Sequence, residues 1–451
     1  MNIKDIKKVY FIGIGGIGMS ALARYFKHCG ASVYGYDRTQ SSLCDTLTAE
    51  GMNIHYTEDV TQIPLDVQLV VYTPAIPAHH AELVYYRQNG YTVLKRSEVL
   101  QLITDQVFTI AVAGSHGKTS VTSLITHLLH HSGYGCTAFV GGIMTNYNAN
   151  FVVSNPNVVV IEADEFDRSF LRLNPTLAII TAVDSDHLDI YGTQAGVEEA
   201  FEQFASQVKS NGHLFVNSRV PILDKLKKYP ITTYDLDNKK ADYYVKNILL
   251  DSDHCGFTVQ TPNEVLNNLQ LQISGKHNIE NALVAIAVAQ YLGIDNTKIA
   301  EALHTFTGVK RRFEYIVRTP NFVFIDDYAH HPEEINALLK SVRFLYPKHK
   351  ISVIFQPHLY SRTKDLAPEF GQALSQADEV ILLDIYPARE LPIEGVTSNL
   401  IFEHIQSTQK STCVKTQLLN YLQGKHFDVL LTVGAGDIDT YLSDIKNITT
   451  T

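Results

Sequence analysis

The sequence predicts an α/β protein of three domains, and three observations carry that expectation. Apolar runs of strand length recur with helical stretches between them, at residues 9–14, 69–72, 108–113, 158–162, 177–182, 322–326, 351–356, 380–384 and 429–433. Runs that are apolar throughout belong to strands covered on both faces, and strands interleaved with helices form parallel sheets. A unit of strand, glycine turn and helix begins at Val9 and begins again at Phe108. The length of 451 residues exceeds one ordinary domain, because about 150 residues per domain gives about three. The helix-like SEVLQLITDQ gives way to the strand FTIAVAG near Thr104, and GVKRRFE follows a long helical stretch near Gly308. The expected domains are therefore 1–104, 105–308 and 309–451.

Composition limits the class of protein. Hydrophobic residues make up 45% and charged residues 19%, so each domain can bury a core and disorder is not expected. Lysine and arginine total 37 against 47 acids, a net charge of −10 with no basic tail, which argues against nucleic acid as a partner. Cys29, Cys44, Cys136, Cys255 and Cys413 are scattered and form no C-x-x-C pair; they read as reduced thiols of a cytoplasmic protein. No apolar run reaches the roughly 18 residues of a membrane span, and the N-terminus runs straight into a strand, so no membrane association is expected.

The first glycine turn, Phe11-Ile12-Gly13-Ile14-Gly15-Gly16-Ile17-Gly18, follows a strand and opens a helix, and Asp37 ends the next strand in VYGYD. Glycines let a backbone approach a diphosphate closely, and an acid one strand later can meet a ribose. Two ligands satisfy that pattern: a nicotinamide dinucleotide, which would make an oxidoreductase, and a UDP-sugar.

The second turn is Gly114-Ser115-His116-Gly117-Lys118-Thr119, with Ser120 opening the helix behind it. Backbone N–H groups at Gly117 and Lys118 would face an anion at the positive end of that helix. Lys118 would reach the β- and γ-phosphates of a nucleoside triphosphate, and the Thr119 hydroxyl would ligate Mg²⁺. The spacing is G-x-x-G-K-T, shorter than the usual G-x-x-x-x-G-K-[ST]; the bland alternative is an ordinary strand-to-helix turn.

Further chemistry stands at later strand ends. Glu162 closes its strand ahead of Asp164, Glu165 and Asp167, and is placed to bind Mg²⁺, whereas such acids otherwise cap a helix. His187 lies among Asp184, Asp186 and Asp189 as a metal ligand or base. Asn278 and Asn281, behind His277, share a helix face and can read a planar base, although Asn278 can equally be an N-cap. Arg312, in Lys310-Arg311-Arg312, can meet a γ-phosphate or can be part of a solvated charge cluster. DDYAHHP and FQPHLYSR put Asp327, Tyr328, His330, His358 and Arg362 at successive strand ends, where doubly wound sheets bind ligands.

Together these segments resemble the Mur ligases of peptidoglycan synthesis. The matching stretches are FIGIGGIGMSALA, YTPAIP, AVAGSHGKTS, EADEFDRSF, DSDHLDIYG, GKHNIENA, GVKRRFE, DDYAHHPEEI, FQPHLYSRT and VGAGDI, in order from residue 11 to residue 438. The resemblance implies a Rossmann-like N-terminal domain, a P-loop ATPase-like central domain with a mostly parallel sheet, and a Rossmann-like C-terminal domain. It implies UDP-sugar binding by Gly13, Gly15, Gly16, Ile17, Gly18, Ser20, Asp37, Thr73, Ala75 and Ile76. ATP would be held by Gly114 to Ser120, by His277, Asn278 and Asn281 around adenine, by Asp327 on the ribose and by Arg312 near the γ-phosphate. Mg²⁺ would sit on Thr119, Glu162 and His187, with Lys118, His187 and Arg312 as catalytic groups. Tyr328, His330, His358 and Arg362 would form an amino-acid pocket.

The implied reaction joins L-alanine to the lactyl carboxylate of UDP-N-acetylmuramate through an acyl phosphate, yielding ADP and phosphate, in a monomer or weak homodimer. A sister activity that attaches a murein tripeptide shares nearly every motif. A regulatory protein that senses the UDP-sugar is a third, non-enzymatic alternative. Two departures from the family stand out. The loop reads GSHGKTS where GTHGKTT is common, and residues 188–207 hold no lysine of the kind some members carbamylate as a metal ligand.

Overall fold

The computed structural model describes residues 3–184, 188–250, 255–273, 275–388, 390–407 and 409–450. The chain forms two compact units, Met1–Gly308 and Val309–Thr451. The first holds two sheets and the second one.

In the first unit a five-stranded sheet runs Asn53–His55, Ser32–Tyr36, Lys8–Ile12, Leu69–Tyr72, Val93–Lys95, parallel throughout. Alternation along Lys8–Ile12 sends Val9 and Phe11 into one core and Tyr10 and Ile12 into another, which is why the strand is apolar along its length. The strand order reverses beside Lys8–Ile12, so the glycine turn after it opens at the switch point where such sheets bind ligands.

The second sheet has ten strands, in the order Val265–Leu271, Cys255–Gln260, Tyr243–Leu250, Ile231–Asp235, His213–Asn217, Leu177–Ile180, Phe108–Ala113, Val158–Glu162, Thr137–Met144, Ala149–Val153. Its middle is parallel. Both margins turn antiparallel, in the pair 137–153 and in the three strands 243–271. The central strand, Phe108–Ala113, delivers the chain to the phosphate loop, and helix Lys118–His131 leaves it. Helix Lys276–Tyr291 packs on that helix and buries Ile279 and residues 282–289.

One apolar core runs through the unit without a break, from Ile3 and Phe26 through Ile103 to Phe139, Phe170 and Leu226. Asn150 of strand Ala149–Val153 reinforces the join. Its Nδ2 donates to Ile17 O at 2.6 Å and to Ser20 Oγ at 2.9 Å, while Arg24 donates to its Oδ1.

The second unit has the order Glu314–Arg318, Val323–Asp327, Val429–Val433, Ile351–Phe355, Glu379–Leu383, Gln409–Cys413, parallel except for the first pair. Ile325, Val353 and Phe355 pack on one face, Phe324, Ile354 and Ile381 on the other. The predicted α/β class with parallel-rich sheets is the observed one, and among the described residues no helix is long and apolar enough to cross a membrane.

Candidate functional site

At the first turn Gly13 adopts φ +86 and packs against Thr73 and Ile76, whose own turn closes through Ile76 N–H to Thr73 O at 3.0 Å. Helix Ile17–His28 starts at Gly16 with no side-chain cap and no acid in its first turn, leaving its leading N–H groups open to an anion. Asp37 braces the turn: Oδ2 accepts from Gly15 N–H at 2.8 Å and Oδ1 from Thr39 N–H at 3.1 Å. Of the residues predicted here, Ser20 is turned inward, fully buried, donating to Ile17 O and accepting from Asn150. Ile17 is exposed and Ala75 half-buried at the mouth.

The phosphate loop repeats this design with sharper backbone. Gly114 has φ +141 and Gly117, the uncapped N-cap of helix Lys118–His131, has φ +81. Thr181 ties the loop down by donating to Ala113 O at 3.2 Å and to His116 O. Ser115 accepts from Asp184 N–H at 2.8 Å through Oγ, and His116 faces the Asp184 carboxylate at 3.3 Å. Lys118 Nζ donates to Gly114 O and to Glu165 Oε1, each at 2.7 Å. Glu165 is 1% exposed, and burial raises its carboxyl above the usual range against the pull of Lys118.

Glu162 accepts from Gly141 N–H at 2.6 Å. Burial raises its carboxyl too, while Gly141, Lys118 and a hydrogen bond from Thr119 act the other way. Thr119 and Glu162 are thus adjacent oxygen donors beside the loop, the donor type that Mg²⁺ takes. His187, the third predicted ligand, lies outside the described residues, as do Ser185 and Asp186. Among the described residues no three or more His, Cys, Asp or Glu side chains gather as a metal site.

Asn281 leans on the loop itself, its Oδ1 lying 3.1 Å from where a side chain at Gly117 would begin. The exposed ring of His277 packs across Gly275, which has φ +115. Gly275 takes the N-cap position of that helix, so the capping alternative for the buried Asn278 does not hold.

In the second unit Asp327 accepts from Phe313 N–H at 2.7 Å and Ala329 N–H at 2.8 Å, tying the segment ahead of strand Glu314–Arg318 to the turn that carries Tyr328. The two adjacent arginines behave differently. Arg311 is spent on Asp326, on the carbonyls of Gly434 and Gly436, and on Asp439. Arg312 is exposed, with its guanidinium 5.6 Å from the Tyr328 ring centre. His330 Nδ1 stands 2.9 Å from Tyr328 O; a carbonyl only accepts, so Nδ1 carries the proton and Nε2 keeps its lone pair.

His358 packs edge-on to His330 at 6.1 Å and stacks on Tyr386 at 5.9 Å. Burial, then the neighbouring His330 and Arg362, lowers His358 to about 4. His330 is lowered chiefly by burial. Nδ1 of His358 and Nη1 of Arg362 are buried and have no hydrogen-bond partner among the described residues, as befits groups waiting for a polar ligand.

Three contributors went unread in the sequence. Glu165, on Lys118, was one acid among several in its run. Glu334 accepts from the His330 and His331 N–H groups, the latter as the N3 glutamate of a capping box. Glu390 accepts from Ser361 N–H at 2.9 Å and from Ser361 Oγ, holding the short helix Tyr360–Asp365 that carries Arg362. Only the Glu334 contact had a local signal, its position three residues after His331.

Two uncapped glycine turns at strand-to-helix junctions of the first unit, and the His330, His358 and Arg362 cluster of the second, fit a nucleotide-dependent enzyme of multidomain α/β type. Residues 8–107 match the family described as "Mur ligase family, catalytic domain", 112–289 the "Mur ligase middle domain" and 311–436 the "Mur ligase, glutamate ligase domain"; the chain belongs to the Mur ligase family. It is 45% identical to the UDP-N-acetylmuramate–L-alanine ligase of Flavobacterium johnsoniae and 47% identical to that of Flavobacterium psychrophilum, with 99% of each chain covered in both cases. The crystal structure of the Thermotoga maritima UDP-N-acetylmuramate-alanine ligase superposes with a TM-score of 0.85 at 29% identity, covering 98% of both chains. A murein peptide ligase from Psychrobacter arcticus shares the fold, with a TM-score of 0.71 at 22% identity over 98% of each chain.

Proposed function

We propose that this chain joins L-alanine to the lactyl carboxylate of UDP-N-acetylmuramate, using ATP and releasing ADP and phosphate. The observation that carries this is the full-length likeness to ligases of that name, combined with three separate polar seats of the right chemistry. Residues 1–104 would take the UDP-sugar at the Gly13–Gly18 turn, 105–308 ATP at Gly114–Ser120, and 309–451 the amino acid. Membership of this family removes the reason to read the first turn as a nicotinamide site, and the alanine-named relatives favour alanine over a tripeptide.

A carboxylate resists attack by an amine because its leaving group would be oxide; transfer of the γ-phosphoryl group gives an acyl phosphate with a good leaving group. The transfer brings two anions together, so the chain must neutralise charge and align the partners. Lys118 supplies one cation, exchanging Glu165 for phosphate oxygens, and the exposed Arg312 supplies another. Thr119 and Glu162, with His187, would hold Mg²⁺, which adds charge neutralisation when bound.

Arg362, with an unpartnered buried N–H, suits the alanine carboxylate as a charge-assisted donor. The alanine amine must lose a proton before it attacks. His330, whose Nε2 keeps its lone pair, is the acceptor the geometry offers, whereas His358, lowered to about 4, is too weak a base and serves as a neutral polar contact. The test is phosphate release from ATP and UDP-N-acetylmuramate with L-alanine or the murein tripeptide as acceptor. Alanine-dependent release is expected, and turnover with the tripeptide alone would overturn the reading.

A further inference from the structure

Gly18 is the second residue of helix Ile17–His28 and lacks the positive φ that would demand glycine. What excludes a side chain there is Arg96. A Cβ on Gly18 would lie 2.5 Å from Arg96 Nη1, 3.1 Å from its Cζ and 3.4 Å from its Cδ. The guanidinium lies against the first turn of the helix, in space that a glycine leaves open. Arg96 comes from the strand-to-helix junction after Val93–Lys95, two strands away in the same sheet, and is half-buried.

This is an unfavourable place for an unpaired cation. The helix N-terminus already carries positive partial charge, its first turn has no acid, and no side chain caps it. Among the described residues Arg96 makes no ion pair or hydrogen bond, and the nearest acid of the turn, Asp37, is engaged by two backbone N–H groups. An anion seated between the helix start and the guanidinium would remove the repulsion and satisfy both.

We infer that Arg96 is a binding residue for the diphosphate of the UDP-sugar, contributing a planar fork opposite the open N–H groups of the glycine turn. The inference rests on the assignment of the UDP-sugar to that turn. On this account Gly18 leaves room for an arginine, not for helix-on-strand packing.

The experiment is calorimetric titration of uridine and of UDP into the full-length protein, with the ATP seat filled by a non-hydrolysable ATP analogue. Wild type, Arg96→Gln and Gly18→Ala are compared. Loss of a charge-assisted fork should weaken UDP about 10- to 100-fold while uridine affinity stays within twofold. Gly18→Ala, which keeps the arginine but pushes its guanidinium off the turn, should lower the UDP-to-uridine affinity ratio in the same way. Equal UDP affinity in wild type and Arg96→Gln, or an equal loss for uridine and UDP, would overturn the role of Arg96. Absence of UDP binding to wild type would instead overturn the assignment of the turn.

Discussion

Replacing Gly114 by alanine tests the phosphate loop at its tightest point. The new Cβ would stand 2.0 Å from Thr181 Oγ1 and 2.9 Å from the Ala182 nitrogen, at φ +141 where L side chains rarely sit. Ordinary contact needs about 3.5 Å, so Thr181 or the loop must move by more than an ångström. Moving Thr181 sacrifices the one hydroxyl proton it shares between Ala113 O and His116 O, about 1 kcal/mol, and the backbone strain adds about 1–3 kcal/mol. A loop penalty of about 2–4 kcal/mol corresponds to ATP affinity lowered by about 30-fold or more. Calorimetry with an ATP analogue and alanine-dependent phosphate release would both report it. Gly133→Ala is the control. It has φ +80 with nothing within 4 Å of the added carbon, so it should cost about 1–2 kcal/mol of stability and leave ATP affinity within twofold. A Gly114→Ala enzyme that binds the analogue within threefold of wild type would refute the assignment of this turn.

Other perturbations probe the remaining seats. Lys118→Ala should lower phosphate release by about a thousandfold or more, by analogy with the loss of a cation that stabilises phosphoryl transfer, with UDP affinity retained; an active variant would sink the role of Lys118. Asp37→Ala leaves the Gly15 and Thr39 N–H groups without acceptors and should destabilise the turn by about 1–3 kcal/mol, read as weaker UDP binding and a lower melting temperature; unchanged values for both would contradict the brace.

His358 gives a pH prediction. Its folded value of about 4 lies below the unfolded value of about 6.5. Between those values the unfolded chain binds a proton that the folded chain does not, so stability is full above about 6.5 and declines as pH falls toward 4. His358→Gln should flatten this part of the urea-denaturation profile by about 1–2 kcal/mol, after discounting for partial exposure. Parallel wild-type and variant curves would show that the ring is not held neutral.

The strands that lead into the candidate sites were legible because they are buried on both faces. Leu69–Tyr72, Phe108–Ala113, Val158–Glu162 and Val429–Val433 fall where their unbroken apolar runs predict. Asn53–His55 and Val93–Lys95 are three residues each at the margins of their sheet, too short for any period to show. Thr137–Met144 carries Gly141 and Gly142 in its middle, which hides it as a strand. The antiparallel margin at 243–271 alternates polar and apolar residues instead of running apolar throughout, as Cys255–Gln260 shows.

At the site, residue type was readable but engagement was not. Arg311 and Arg312 are adjacent and chemically identical, yet one is consumed by Asp326 and two carbonyls while the other faces solvent. Arg311 finds those partners on strand Val323–Asp327 and beyond strand Val429–Val433, far along the chain. Lys118 and Glu165 lie 47 positions apart and meet only because their strands are neighbours.

The unbroken apolar core of the first unit, clamped by Asn150 on the opening helix, bears on modularity. A fragment ending near Thr104 would strip Phe139 and Phe151 from the Tyr25 ring and would remove the Asn150 amide from the Ile17 carbonyl and the Ser20 hydroxyl. Residues on either side of Thr104 thus fold as one piece: a chimaera that swaps only residues 1–104 is expected to need the matching strand around Asn150 as well, and to lose stability without it.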